Sequence, residues 1–157
     1  VDKDPVELFR KFLSTKSLEF PQLKFDMFMN VMEQYMYALK YYHNRARPEQ
    51  IAPYYNIEID VLYTETHHTP SYPSGHVVYA ETAAYIASES FPEYRSNFFQ
   101  LSKYCGLARI LQGVHFASDN KASIIAVQKL YPLVSKYYEQ KRTQEDPLNV
   151  SGTTQDD

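Results

Sequence analysis

The sequence predicts an all-α fold, a compact single domain built from about five or six helices. Apolar side chains recur at spacings of three and four over most of the chain, and helix start signals precede these stretches. No stretch shows the alternation of a β-strand or an internal repeat. The chain of 157 residues is long enough to bury one core. We expect the domain to span residues 1–143 and the polar, aperiodic residues 144–157 to form a disordered tail.

The N-terminal third is predicted to contain a short helix and a long one. Asp4 and Pro5 fit a cap followed by a first-turn proline, which opens a helix through Leu13. From Asp26 the pattern becomes strongly helical, and Pro48 is expected to end this helix because the residue before a proline avoids the helical conformation. One apolar stripe contains Phe25, Phe28, Met29, Met32, Met36 and Leu39. Such a stripe is typical of a core-facing helix, and a flexible methionine-rich groove is the alternative.

A loop and another helix are predicted next. Residues 48–73 carry four prolines and little periodicity, and we interpret them as a functional loop with one short turn of helix. Ser74 is predicted to cap a helix that runs to about Ser90. Its buried side should contain Val77, Ala80, Ala84 and Ala87.

Two further helices complete the prediction. Pro92 is expected to start a helix whose end is loosened by Gly113, with a stripe of Phe98, Leu101, Cys105 and Ala108. The last helix is predicted over residues 119–142, with Ser118 as its cap and Pro132 as a candidate kink.

Composition and charge argue against several classes of protein. The net charge of −3 argues against nucleic acid as the main partner. The longest unbroken apolar runs, 35–39 and 83–87, have five residues, whereas a membrane span needs ~20. We therefore expect a soluble protein, in the cytoplasm or, if a leader before Val1 was removed, in the periplasm or outside the cell. Cys105 is the only cysteine, which excludes an internal disulfide and is interpreted as a buried, inert thiol.

Three short segments carry the chemistry. The first, residues 40–48 (KYYHNRARP), places Lys40 and Arg47 seven residues apart, which puts them on one face if the helix persists that far. A guanidinium matches phosphate geometry in bidentate fashion, while a lysine acts as a point charge. Taken alone, the segment also fits a solvated basic helix end beside His43 and Arg45.

The second segment is residues 73–76 (PSGH). A turn of small residues that opens a helix directs backbone N–H groups and the positive end of the helix dipole at one point. Ser74 can offer its hydroxyl, Gly75 lets the backbone approach a ligand closely, and His76 can donate a proton to a leaving oxygen. An ordinary serine-capped helix with an incidental histidine is the structural alternative.

The third segment is residues 109–119 (RILQGVHFASD), and it adds a third cation, Arg109. Asp119 follows His115 by four residues, so its carboxylate reaches one ring nitrogen if the chain turns helically. That contact fixes the tautomer, leaves the other nitrogen as a nucleophile, and stabilises the imidazolium that forms. A structural His–Asp pair at a helix start is the alternative.

In this order, the three segments resemble the signature of a superfamily that comprises the type-2 phosphatidic acid phosphatases, the bacterial class A acid phosphatases and the vanadium haloperoxidases. That signature is Lys-x6-Arg-Pro, then Pro-Ser-Gly-His, then Ser-Arg-x5-His-x3-Asp. The match covers residues 40–119, about half of the chain, and Ala108 stands where the family usually has serine.

The resemblance implies a helical bundle and a two-step phosphoryl transfer that needs neither a metal nor a cofactor. It implies that His115 attacks phosphorus, that Asp119 orients it, and that His76 protonates the leaving group and then activates water. The phosphate site that it implies consists of Lys40, Arg47, Ser74, Gly75 and Arg109.

We therefore expect a soluble, metal-independent phosphatase that acts on a phosphomonoester or a pyrophosphate-containing small molecule through a phosphohistidine, with vanadate as an inhibitor. The alternative is a vanadium-dependent haloperoxidase, in which His115 would ligate vanadate and His76 would serve acid–base chemistry. A phosphate-binding module without turnover is a third interpretation.

Other residues of the 48–73 loop are weaker candidates. His67 and His68 are candidates for selecting the substrate or leaving group. Tyr72 and the pair Tyr54 and Tyr55 are candidates for a wall that stacks on a base or sugar. All of them also fit ordinary loop residues that are solvated or simply pack.

Overall fold

The computed structural model describes residues 4–62 and 68–145, and within these ranges it contains helices and no strand. The α-helices are, in chain order, α1 (Glu7–Ser14), α2 (Gln22–His43), α3 (Pro48–Ile51), α4 (Gly75–Ser90), α5 (Arg95–Leu111) and α6 (Ala117–Glu145). Two 3₁₀ turns, Ala52–Tyr55 and Pro92–Tyr94, follow α3 and precede α5. The all-α prediction is confirmed. Helix α6 passes the domain boundary expected at residue 143, and residues 146–157 of the predicted tail lie outside the described ranges.

Helix α4 lies at the centre of the bundle, packed against α1, α2, α5 and α6. Its buried side chains are mostly small and include Val77, Ala80, Ala83, Ala84 and Ala87. Short side chains let helix axes approach each other, because the interaxial distance depends on the residues at the contact. The predicted buried side of this helix is confirmed, and α4 can be enclosed on several sides at once.

The apolar stripe of α2 faces this centre. Phe25, Phe28, Met29, Met32 and Met36 are buried and belong to one core cluster with residues of α1, α4, α5 and α6. Each such side chain stabilises the fold by roughly 1.5–3 kcal/mol on burial. The interpretation of the stripe as core is confirmed.

The limits of α2 differ from the prediction. The helix begins at Gln22 rather than Asp26, and it ends at His43 rather than at Pro48. Asn44 stops it by adopting the left-handed conformation at φ 42°, and its N–H donates to the Lys40 carbonyl at 2.8 Å. Pro48 opens α3 instead, a position that suits its fixed φ and missing N–H. Because α2 does not persist to Arg47, Lys40 and Arg47 do not share a helix face.

The end of α5 is a Schellman motif centred on Gly113. The N–H of Gly113 donates to the Ile110 carbonyl at 2.9 Å, and the N–H of Val114 donates to the Arg109 carbonyl at 3.3 Å. Gly113 has a φ of 73°, which glycine adopts without strain. Gly113 was predicted to loosen the end of this helix. It instead forms a defined turn, which reverses the chain between Arg109 and His115.

The start of α6 corrects the prediction of a Ser118 cap. The helix begins at Ala117, and Phe116 in front of it donates its N–H to the Asp119 carboxylate Oδ2 at 2.9 Å. Asp119 therefore occupies the N3 position of the helix, and its carboxylate accepts from the N-cap backbone as in one half of a capping box. The helix continues through Pro132 to Glu145.

The remaining helix starts lie close to their predicted positions. At α1, the Asp4 Oδ1 accepts a hydrogen bond from the Val6 N–H at 2.9 Å, and Phe9 and Leu13 are buried. Pro92 begins the short 3₁₀ turn that leads into α5. On α5 the Cys105 side chain is fully buried, and burial raises the pKa of its thiol to about 11, as an inert structural cysteine requires.

Candidate active site

A cavity of about 290 Å³ lies between α2, the start of α4 and the turn before α6. Its lining consists of Pro5, Met36, Tyr37, Lys40, Arg47, His68, Thr69, Gly75, His76, Tyr79 and His115. Five of these, Lys40, Arg47, Gly75, His76 and His115, belong to the predicted site. The structure thus brings parts of all three sequence segments to one anion-sized space.

Lys40 reaches the cavity from the last turn of α2. Its Nζ donates to the Pro70 carbonyl at 2.6 Å, and the residue is 3% exposed. The pKa of Lys40 is lowered to about 8, mainly by burial and also by the nearby charge of Arg47, while Asp119 acts in the opposite direction. Lys40 is therefore a cation whose charge depends on pH within the range in which enzymes are assayed.

Arg47 enters from the opposite side, from the residue that precedes α3. Its Nε donates to the Thr69 carbonyl at 2.9 Å, and its Nη1 donates to the Val114 carbonyl at 2.8 Å. The same Nη1 lies 3.4 Å from the Nε2 of His115. These contacts hold a buried guanidinium against the ring nitrogen that faces the cavity.

His115 and Asp119 form the predicted pair. The Nδ1 of His115 lies 3.2 Å from the Asp119 Oδ2, and both side chains are buried. An ionised carboxylate accepts and does not donate, so the neutral ring carries its proton on Nδ1 and presents a lone pair at Nε2. The helical turn expected between the two residues is present at the start of α6.

Burial and neighbouring charges keep this imidazole neutral. The pKa of His115 is lowered to about 4, mainly by burial and also by the cations Arg47 and Lys40, while the hydrogen bond to Asp119 acts in the opposite direction. For Asp119, burial acts to raise the pKa, but hydrogen bonds from His115, Ser71 and the Phe116 N–H outweigh it and lower the pKa. At neutral pH the pair is a neutral imidazole on an ionised carboxylate.

The start of α4 contributes Gly75 and His76 to the cavity. A Cβ on Gly75 would lie 3.2 Å from the Met36 Sδ, so glycine lets α4 approach α2 closely at this point. Ser74 differs from the prediction. It occupies the N-cap position without a side-chain capping bond, and its buried Oγ has no hydrogen-bond partner among the described residues and does not line the cavity.

Arg109 is buried and does not line the cavity. The side chain is 1% exposed, and its Nη1 donates to the Gln112 Oε1 at 2.8 Å. Its charge acts on Arg47, whose pKa is lowered first by burial and also by Arg109. The predicted third cation is therefore part of the electrostatic environment of the site but does not form its surface.

Two polar residues at the site were missed in the sequence. Arg45 donates from Nη1 to the Asp119 Oδ1 at 2.7 Å, and Ser71 donates its hydroxyl to the Asp119 Oδ2. Arg45 was considered only as part of a basic helix end. Ser71 lies three residues before Ser74, where no pattern marks it, because both contacts are made across long stretches of chain.

The weaker candidates of the loop are divided. His68 lines the cavity, whereas His67 lies outside the described residues. Tyr72 packs edge-on against His43 at 4.7 Å between ring centroids, and Tyr54 and Tyr55 are exposed and away from the cavity. The aromatic wall comes instead from Tyr37 on α2 and Tyr79 on α4, which the sequence analysis had not selected.

Two further observations concern metals and membranes. In residues 4–62 and 68–145, no group of three or more His, Cys, Asp or Glu side chains is placed to hold a metal ion. Among the helices described, none combines the length and the apolar character that crossing a bilayer takes.

Comparison with known proteins yields three matches. A family model described as the PAP2 superfamily matches residues 27–140, a range that contains every predicted site residue. An acid phosphatase of Zymomonas mobilis subsp. mobilis (strain ATCC 31821 / ZM4 / CP4) is 38% identical over 55 residues, which are 35% of this chain and 21% of that protein. The chain thus spans about a fifth of the length of that relative.

The third match is a solved structure, described as the first transmembrane PAP2 type phosphatidylglycerolphosphate phosphatase from Bacillus subtilis. It superposes with a TM-score of 0.50 at 22% identity, over 75% of this chain and 59% of that one. At this identity the likeness shows a shared arrangement of helices.

Proposed function

The chain belongs to the PAP2 superfamily, the one that its three segments resemble, and on this premise we propose that it is a phosphatase that hydrolyses a phosphomonoester or a pyrophosphate-containing small molecule. The observation that carries the proposal is the state of His115. Its Nδ1 is held by Asp119 at 3.2 Å, and its Nε2 lies 3.4 Å from a buried guanidinium at the cavity. A neutral imidazole with an oriented lone pair beside a fixed cation is suited to attack an anionic phosphorus centre.

In the first step, the Nε2 lone pair of His115 forms a bond to phosphorus while the bond from phosphorus to the leaving oxygen breaks. His76 gives a proton to that oxygen, so the leaving group departs as a neutral alcohol or as a protonated phosphate. The phosphorylated ring becomes cationic, and Asp119, hydrogen-bonded to Nδ1, stabilises that charge.

In the second step, His76 takes a proton from a water molecule, whose oxygen attacks phosphorus. The bond between phosphorus and Nε2 breaks, and its electron pair returns to His115. The products are the free enzyme and inorganic phosphate, and His76 has regained the proton that it gave in the first step. No metal or oxidant is needed for this balance.

The charge on the transferring phosphoryl group is met by fixed cations. Lys40 and Arg47 line the cavity and are buried, so their attraction to an anion is screened less than at an exposed site. Backbone N–H groups at the start of α4 add the positive end of a helix dipole. Arg109 adds a further positive charge close enough to Arg47 to lower its pKa, and it strengthens the positive potential of the site without lining the cavity.

The leaving group lies against an apolar wall in this proposal. Met36, Tyr37, Tyr79 and Pro5 border the same cavity as the cations. Aromatic and thioether side chains bind flat or apolar groups, so a phosphate ester of an aromatic or apolar alcohol fits the space better than a highly hydroxylated sugar phosphate.

The test is phosphate release by the purified protein with excess chelator, over nucleotides, sugar phosphates, aryl phosphates, pyrophosphate and short-chain lipid phosphates. We expect release from at least one class, its loss in His115→Ala, and its retention in His43→Ala, a histidine variant outside the cavity. A phosphoprotein that is acid-labile and stable in base should be trapped from the wild type. Turnover by His115→Ala, or turnover that chelator abolishes, would contradict the proposal.

Vanadate provides a second arm of the test. It resembles the five-coordinate phosphorus of the transition state, and we expect it to inhibit phosphate release competitively. The haloperoxidase alternative is tested by adding vanadate, peroxide and bromide to the protein. If no brominated product forms, this alternative is excluded. Efficient bromination together with no phosphate release would replace the phosphatase proposal.

A further inference from the structure

Arg45 makes a set of contacts that the phosphatase proposal does not use. It lies in the turn between α2 and α3, and its Nη1 donates to the Asp119 Oδ1 and to the Ser118 Oγ, each at 2.7 Å. Its guanidinium carbon lies 4.3 Å from the centroid of the Phe116 ring. The side chain is 34% exposed, whereas the Asp119 side chain is fully buried. One arginine thus reaches from the surface to the carboxylate beneath the nucleophile.

The carboxylate of Asp119 has a distinct set of partners on each oxygen. Oδ2 accepts hydrogen bonds from the His115 Nδ1 at 3.2 Å, from the Phe116 N–H at 2.9 Å and from the Ser71 hydroxyl. Among the described contacts, Oδ1 accepts from Arg45. A carboxylate held at both oxygens cannot rotate about its last bond without breaking a charge-assisted hydrogen bond. Arg45 therefore helps to fix the plane in which Oδ2 faces His115, together with the Ser71 and Phe116 donors on Oδ2.

Ser71 links the same two residues a second time. Its backbone N–H donates to the Arg45 carbonyl at 2.9 Å, while its hydroxyl donates to Asp119. The loop that contains Ser71 also supplies the Thr69 and Pro70 carbonyls that accept from Arg47 and Lys40. Arg45, Ser71 and Asp119 form a closed ring of contacts, which we call the Asp119 clamp.

We propose that Arg45 is a positioning residue, which anchors the Asp119 carboxylate so that it holds the His115 ring with Nε2 toward the cavity. The proposal rests on the phosphatase function proposed above. Arg45 does not line the cavity, so it acts on the nucleophile through Asp119 and has no contact with the phosphoryl group. Its loss should lower the rate of phosphoryl transfer much more than the affinity for an anion.

The test compares Arg45→Gln, which removes the charge, with Arg45→Lys, which keeps it. Arg95→Ala is the matched control, because Arg95 also stacks on a phenylalanine, at 4.9 Å from the Phe99 ring, and lies outside the site. We expect kcat to fall roughly 10–100-fold in Arg45→Gln, with inhibition by inorganic phosphate changed less than threefold. Arg45→Lys should recover at least part of the lost rate, and Arg95→Ala should retain the wild-type value.

A spectroscopic readout separates this proposal from the phosphatase proposal. A ring N–H that is hydrogen-bonded to a carboxylate gives a low-field proton resonance, which we assign to His115 by its loss in His115→Gln. This resonance should broaden and move upfield in Arg45→Gln and persist in Arg45→Lys and Arg95→Ala. It needs no turnover, so it decides the role of Arg45 even if the wild type releases no phosphate from any substrate.

Each result bears on the inference in one direction. An unchanged resonance and an unchanged kcat in Arg45→Gln would overturn it while leaving the phosphatase proposal intact. A fall in kcat that Arg45→Lys does not relieve at all, with an unchanged resonance, would also overturn it. If Arg45→Gln does not fold, Ser118→Ala replaces it, because loss of the Ser118 acceptor loosens Arg45 without a change of charge, and a smaller shift in the same direction is expected.

Discussion

The Nη1 of Arg47 lies 3.4 Å from the Nε2 of His115, and both side chains are buried. This relationship keeps a positive charge next to the nitrogen that would attack phosphorus, and it contributes to a His115 pKa of about 4. The same charge would attract the incoming phosphoryl group. In the proposed reaction, one guanidinium would both keep the His115 ring unprotonated and attract the phosphoryl group toward it.

The first prediction concerns the alkaline limit of activity. Lys40 has a pKa of about 8 because burial disfavours its charged form, so its cation is lost as the pH rises through that value. Since kcat/KM reports the free enzyme, it should fall above about pH 8. Lys40→Arg keeps the charge at higher pH, and we expect its alkaline limb to move upward by at least one pH unit. The surface variant Lys24→Arg should leave the alkaline fall of kcat/KM unchanged. If the fall occurs at the same pH in Lys40→Arg as in the wild type, it is caused by another group.

The second prediction concerns stability in acid. The pKa of His115 is about 4 in the folded protein and 6.5 in the unfolded chain. The unfolded chain therefore binds more protons between these two pH values. The free energy of unfolding should therefore rise with pH from about 4 to 6.5, by roughly 3 kcal/mol from this residue. Burial raises the pKa of Glu81, and this makes the free energy of unfolding fall as the pH rises. The contribution of His115 is therefore obtained by comparing the wild type with a variant that lacks this histidine.

The measurement for that prediction is urea unfolding of the wild type and His115→Gln at several values between pH 4 and pH 7. The wild type should lose more stability than the variant as the pH falls, because glutamine does not titrate. Asp119 loses its own stabilising contribution only at lower pH, since its pKa is already below the usual range. Parallel curves for the two proteins would show that folding does not change the pKa of His115, which would contradict this prediction.

The third prediction concerns Gly113. Its φ of 73° is strained for any residue with a Cβ, and that Cβ would lie 3.0 Å from the Ile59 Cγ2 and 3.4 Å from the Asp60 carbonyl oxygen. Gly113→Ala should therefore destabilise the fold by about 1–2 kcal/mol or more. Denaturant unfolding measures the change, and Gly106→Ala, on a helical backbone with a side-chain neighbour at 3.0 Å, separates crowding from backbone strain. Unchanged stability in Gly113→Ala would mean that the turn after α5 takes another conformation.

The fourth prediction concerns selectivity. Tyr37 lines the cavity but forms none of the contacts described between the cations and the His–Asp pair. Tyr37→Ala should raise KM for aryl phosphates several-fold, because it removes a stacking surface, and should change KM for pyrophosphate little. Tyr35→Ala, on the same helix and outside the cavity, is the control. An equal rise in KM for aryl phosphates and for pyrophosphate would show that Tyr37 maintains the shape of the pocket and does not select the substrate.

The sequence predicted those features that depend on local spacing. The four-residue separation of His115 and Asp119 is a helical turn, and the two side chains meet at 3.2 Å. Ser74 directly precedes α4, as its position before a helical pattern indicated, and the methionine stripe of α2 is core. In each case the relevant geometry is set within one turn of backbone, which periodicity and capping rules describe well.

The features that were missed depend on contacts between distant parts of the chain. Helix α2 ends at Asn44 by a backbone reversal, although a proline four residues later is the stronger stop signal. Neither Ser74 nor Arg109 lines the cavity, because side-chain direction follows from packing and not from motif order. Arg45 reaches Asp119 across 74 residues of sequence, a pairing that no local rule identifies.

The left-handed residue Asn44 has a consequence for the length of the first segment. A continuous helix would tolerate the exchange of most side chains between Lys40 and Arg47 as long as the heptad were kept. Here the seven-residue interval is instead a bend: both of its ends line one cavity, and Arg45, two residues before Arg47, contacts Asp119. Insertion or deletion of a single amino acid between positions 41 and 46 would displace Lys40 relative to Arg47, so the bend constrains the length of this interval as well as the residues at positions 44 and 45.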